Sequence, residues 1–82
     1  MNQLLTDLLL ALRAAGQYGA APEDLLTDMR RGRHRELALP ELERALRDLA
    51  DQSFAKTITT ALKKKRWAIT ALGTSALQEE AL

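Results

Sequence analysis

The sequence predicts a mostly α-helical domain that carries one small β-hairpin. Two observations lead there. Apolar residues recur at helical spacing from residue 3 to residue 50, and after residue 53 the pattern changes to stretches such as TITT and WAIT. Length and composition set the frame. The chain has 82 residues, 46% hydrophobic and 28% charged, which suits one globular domain spanning residues 1–82. Leucine and alanine supply most of the apolar fraction, so an aliphatic, helical core is expected.

The first helix is predicted from Gln3 to about Ala15. Leu4, Leu5, Leu8, Leu9, Leu12 and Ala15 form one broad stripe, and Gly16 is a natural stop. Leu10 falls about 100° away from Leu9, outside that stripe. It is expected either beneath the C-terminal helix or against a second subunit. GQYGAA (16–21) reads as a loop. Pro22 suits a first helical position, and Glu23 and Asp24 suit the positive end of the helix dipole. Leu25, Leu26 and Met29 give this second helix a short apolar face before Gly32 ends it. Leu37-Ala38-Leu39 reads as a short strand or a buried crossing. Pro40 restarts a helix whose buried stripe is Leu42, Ala45, Leu46, Leu49 and Ala50.

FAKTITTA (54–61) and RWAIT (66–70) read as two short strands joined by a charged tip, the hairpin spanning about Phe54 to Thr70. A helical stripe of Phe54, Ile58, Ala61 and Leu62 competes, and the β-branched content favours strands. The tip has no Gly, Asn or Asp, the usual hairpin-turn residues. Thr70 or Ser75 can cap a final helix, with Ser75 and Gln78 at capping-box spacing. Leu72, Ala76 and Leu77 would dock it on the core.

Several function classes find no support. With no cysteine and one histidine, thiolate and histidine metal sites are ruled out, and no cofactor is expected. Nor is there a glycine-rich phosphate loop, and the carboxylates lie at helix starts and on solvated faces, so no catalytic residue is expected. No segment has the roughly 20 apolar residues of a membrane span. The opening MNQLLTDLLLALRAA lacks the basic start of a signal peptide, and Asp7 interrupts its apolar run, so a cytoplasmic protein is expected.

Charge is more informative in its distribution than in its total of +1. Arg30, Arg31, Arg33 and Arg35 cluster around His34, and Lys63, Lys64, Lys65 and Arg66 form a second group. Such local patches bear on partners. The element order is helix, helix, helix, strand, tip, strand, helix. Over LPELERALRDLADQSFAKTITTALKKKRWAITALGTSAL it resembles a winged helix-turn-helix domain of small bacterial and archaeal transcription regulators. The resemblance implies a three-helix core, a third helix that recognises DNA, a two-stranded wing and a C-terminal helix. The last helix would open at Thr70-Ala-Leu-Gly73, where that family commonly has a threonine and then a glycine.

From this follow the candidate sites. The tip lysines and Arg66 would grip phosphates near a minor groove, and the 30–35 loop would lie near the same face. Arginine suits phosphate through its planar fork of donors, and His34 is expected as a solvated bystander. Arg44 and Arg47 are the third-helix residues able to read guanine edges, against competition from the i,i+4 pairs Glu43–Arg47, Arg44–Asp48 and Arg47–Asp51. Trp67 could stack on a base or pack the hairpin onto the core. The third helix carries Glu41, Glu43, Asp48 and Asp51 against its two arginines, a net of −2. The expected partner is duplex DNA, with a homodimer through Leu10, Leu77 and Leu82. The alternative is a protein–protein interaction module that presents the acidic third helix to a basic partner.

Overall fold

The computed structural model describes residues 2–81. Among them are four helices and two strands: α1 (Gln3–Ala15), α2 (Pro22–Arg31), α3 (Leu39–Asp51), β1 (Ala55–Thr59), β2 (Lys65–Ile69) and α4 (Ala71–Ala81). No helix among the described residues is long and apolar enough to cross a membrane.

Local chemistry accounts for the helix ends. The Asn2 side chain accepts a hydrogen bond from the Leu5 amide at 2.9 Å, which satisfies one otherwise unpaired donor at the start of α1. α2 and α3 have no side-chain cap and start instead with a proline in the first turn, which has no amide hydrogen to leave unpaired. Leu37 is buried in the crossing to α3, and Leu39 already belongs to that helix, so residues 37–39 form no strand. Of the two cap candidates for α4, Thr70 serves. Its hydroxyl accepts from the Gly73 amide at 3.1 Å, while Ser75 sits inside the helix.

The core is one cluster. Leu8, Leu9 and Leu12 of α1, Leu25 of α2, and Leu42, Leu46 and Leu49 of α3 are its fully buried large side chains. Truncating any of them to alanine costs about 2–5 kcal/mol, because the site relaxes only in part around the cavity. Trp67 of the hairpin and Leu77 of α4 close the cluster.

The strands pair antiparallel from Ala55 opposite Ile69 to Thr59 opposite Lys65. β2 therefore begins one residue earlier than the sequence pattern suggests, and Lys65 is a strand residue rather than part of the tip. Along the other edge of β2, Ala20 exchanges two backbone hydrogen bonds with Trp67, both 2.9 Å. Gly19 enables that approach: it adopts φ +70°, and a Cβ there would collide with the Trp67 carbonyl. Trp67 and Ala68 point to opposite faces of the strand, yet both are buried. Trp67 covers the α2–α3 side, and Ala68 lies beside Gly19.

Gly73 explains the Thr-x-x-Gly pattern in packing terms. A Cβ at this buried position would strike the Phe54 carbonyl oxygen and approach the Ile69 side chain to 2.8 Å. Ser53 presents the reverse case, an exposed non-glycine residue at φ +65°. Two substitutions should thus move stability in opposite directions in urea unfolding. Gly73→Ala should lower it by about 1–3 kcal/mol through overpacking against backbone. Ser53→Gly should raise it by up to about 1 kcal/mol by removing the left-handed penalty.

Candidate nucleic-acid interface

The outward ridge of α3 follows from helical geometry. Each residue advances about 100°, so burial of Leu42, Ala45, Leu46 and Leu49 turns Arg44, Arg47 and Asp51 to solvent. The other acids fall to the sides of this ridge. Glu41 and Asp48 line a shallow concavity with Arg44 itself and with Asn2 and Leu5 at the start of α1. Glu43 lies half-buried on the opposite flank, in a cleft with Pro22, Arg47, Lys65 and Trp67. None of the three i,i+4 pairs expected on this helix forms an ion pair among the described residues. Glu41, Asp48 and Asp51 are all exposed alongside Arg44 and Arg47, so the solvent-facing side of α3 stays acidic overall, and Glu43 alone of its acids is half-buried.

The hairpin divides the run Lys63–Arg66. Lys63 and Lys64 are exposed in the tip (60–64). Lys65 points to the α3 side and shares the cleft with Arg47, with its Nζ 5.5 Å from the Trp67 ring centroid. Arg66 alternates to the other face. Trp67 itself is 7% exposed, so its ring packs the hairpin on the core and is closed to a base. Residues 52–78 contain Lys56, Lys63, Lys64, Lys65 and Arg66 and no acid, a formal +5, so the rest of the chain carries −4.

The 30–35 cluster is engaged differently. Arg30 donates from Nε to the Leu37 carbonyl at 2.8 Å, tying the end of α2 to the start of α3. Arg33 reaches Asp7 of α1 at 3.6 Å, and Arg31 lies 4.0 Å from Asp28 on the exposed surface of α2. His34 is no solvated bystander. Its Nε2 lies 2.8 Å from Asp7 Oδ2, and both side chains are partly buried. A carboxylate only accepts, so Nε2 carries the proton. Arg35 is exposed and, among the described residues, makes no hydrogen bond or ion pair. The loop thus spends Arg30 and His34 on internal hydrogen bonds, while Arg33, 70% exposed, makes only a longer ion pair to Asp7. Asp7 was the unread signal: an acid within the apolar run of α1, next to the buried face.

Of the expected dimer residues, Leu77 is 4% exposed and committed to the core of its own chain, because α4 docks through that side chain. Leu10 is 40% exposed, and Leu82 lies outside the described residues.

Burial is the largest single influence on the Asp7 carboxyl and opposes its charge. Hydrogen bonds from His34 and Gln3, with the charges of Arg33 and His34, together outweigh it and hold the pKa below the ordinary 3.8. A folded pKa below the unfolded one gives stabilisation that is complete above the unfolded value and is lost as pH falls through the folded one. The stability gap between wild type and Asp7→Asn, measured by urea unfolding from neutral to acid pH, should therefore be constant near neutrality and shrink below about pH 4. A gap that stays unchanged through that range would show that Asp7 bears no charge-dependent load.

Compared with known proteins, the chain matches no family model, no curated protein and no solved structure.

Proposed function

We propose that this chain is a winged-helix domain that binds duplex DNA, as a transcriptional regulator or an accessory factor, and that it performs no catalysis. The order of three helices, a hairpin and a final helix supports the fold assignment. Charge segregation carries the functional reading: a hairpin of +5 with no acid stands beside the exposed arginines of α3, on a chain that is otherwise −4. A duplex is a dense polyanion, and a one-sided cationic surface orients the protein toward it while the acidic remainder is repelled.

In this reading Lys63, Lys64 and Lys65 supply phosphate contacts without sequence choice, since lysine is a flexible point charge. Arg66 continues that contact on the other face of β2. Arg44 and Arg47 present planar donor forks to base edges. Arg35 and Arg31 are the loop cations best able to reach a backbone. Arg30 and Arg33 hold the loop in place.

Fluorescence anisotropy of random duplex across a salt series tests this. Wild type should bind at low salt, and replacing Lys63, Lys64 and Lys65 with alanine should flatten the log–log salt slope by roughly 0.9 per lost contact. All sequences should weaken about equally. Arg47→Ala should instead lower discrimination at a guanine position by about 1–3 kcal/mol. A wild-type protein that fails to bind at low salt would overturn the reading in favour of a protein-binding module.

A further inference from the structure

Leu62 is the most exposed large apolar side chain described, at 79%, and it stands at the hairpin tip next to three lysines. An isolated surface leucine on a helix is ordinary. This one is held at the apex of a closed turn. The Thr60 amide donates to the Lys64 carbonyl at 2.9 Å, and the Lys63 amide donates to the Thr60 carbonyl at 2.8 Å. The Lys64 amide also donates to the Thr60 hydroxyl at 3.2 Å. Lys63 sits at φ +60°, a left-handed conformation unusual for a lysine, so the chain reverses directly after Leu62. The turn thus projects one apolar group beside Lys63 and Lys64, which are both exposed.

Resting on the reading that the protein binds duplex DNA, we propose that Leu62 is an apolar wedge. It enters the minor groove, partly unstacks one base step and bends the duplex, while Lys63 and Lys64 hold the flanking phosphates. Charge complementarity selects an anionic partner, because the hairpin carries five cations and no acid. Within a duplex, an apolar apex finds matching surface between partly unstacked bases on the minor-groove side, and at thymine methyl groups in the major groove. Flexible pyrimidine–purine steps, which unstack most readily, would be the preferred points of entry. An anionic bilayer attracts the same charges, but one leucine buries too few methylene groups to anchor there.

The test uses the intact chain and duplexes of about 20–30 bp with a central TA step, carrying end-labelled fluorophores or 2-aminopurine at that step. Anisotropy on the same samples reports binding. Wild type should bend the duplex by roughly 20–90° and raise 2-aminopurine emission. Leu62→Ala, at so exposed a position, should fold normally and keep the salt slope, since the lysines remain. It should lose the bend and the emission rise, with affinity changed by less than about tenfold, because the cost of unstacking offsets much of what the wedge gains. Binding with no bend in wild type, or an equal bend in Leu62→Ala, overturns the wedge and leaves DNA binding standing. Absence of any anisotropy change at low salt overturns both. Leu62-dependent binding to phosphatidylserine vesicles, with no distortion of bound DNA, overturns the wedge in favour of a membrane contact.

Discussion

The open end of the hairpin is clamped to two helices by a few backbone bonds, and the position of every exposed cation on the hairpin depends on that clamp. The Phe54 amide donates to the Leu49 carbonyl of α3 at 2.9 Å, and the Phe54 carbonyl accepts from the Thr70 amide at 3.1 Å. The Thr70 hydroxyl donates to the Ser53 carbonyl at 2.6 Å and also caps α4. Gly73 brings α4 against that same Phe54 carbonyl. A two-stranded hairpin is marginal alone in water. Here its base is fastened to α3 and α4, its outer edge is fastened to Ala20, and Trp67 is buried beneath it. The tip and much of β1 are left to solvent.

That anchoring gives the charge pattern a direction. Five cations in a segment that contains no carboxylate would be dispersed on a flexible chain, whereas a clamped hairpin fixes their places. Lys65 leans toward Arg47 across the cleft, which joins the hairpin to the ridge of α3. Interactions between exposed charges are screened beyond about 8–10 Å at ordinary ionic strength, so such closeness matters more than total charge.

The 32–38 crossing shows charged residues serving the fold. It has no regular structure, and a crossing of this kind needs something to hold its backbone. Arg30 grips the Leu37 carbonyl from the α2 side, and Asp7 gathers Gln3, Arg33 and His34 from the α1 side. With Leu37 inserted in the core, these contacts set where α3 begins. An arginine-rich loop thus contributes to placing the third helix, and fewer of its charges remain available to a ligand.

Periodicity alone was enough to identify α1, α2 and α3 and most of their buried residues, because a stripe such as Leu5-Leu8-Leu9-Leu12 has one face and one way to hide it. The hairpin was legible from β-branched content, and its outer boundaries lay within a residue or so of those observed. Whatever depended on partners distant along the chain was not legible. Nothing local says that Asp7 meets His34 27 residues later, or that Lys65 shares a cleft with Arg47. Helix 3 is the clearest case. Its composition reads as acidic, and the direction of its buried face turns Arg44 and Arg47 outward together with Glu41, Asp48 and Asp51, while Glu43 lies half-buried in the cleft with Arg47, Lys65 and Trp67. Sequence determined the elements, because hydrophobic spacing and backbone preference act over a few residues. Tertiary structure decided which charges are spent inside the protein and which are presented to a partner, because that depends on which faces the packed helices and hairpin leave open.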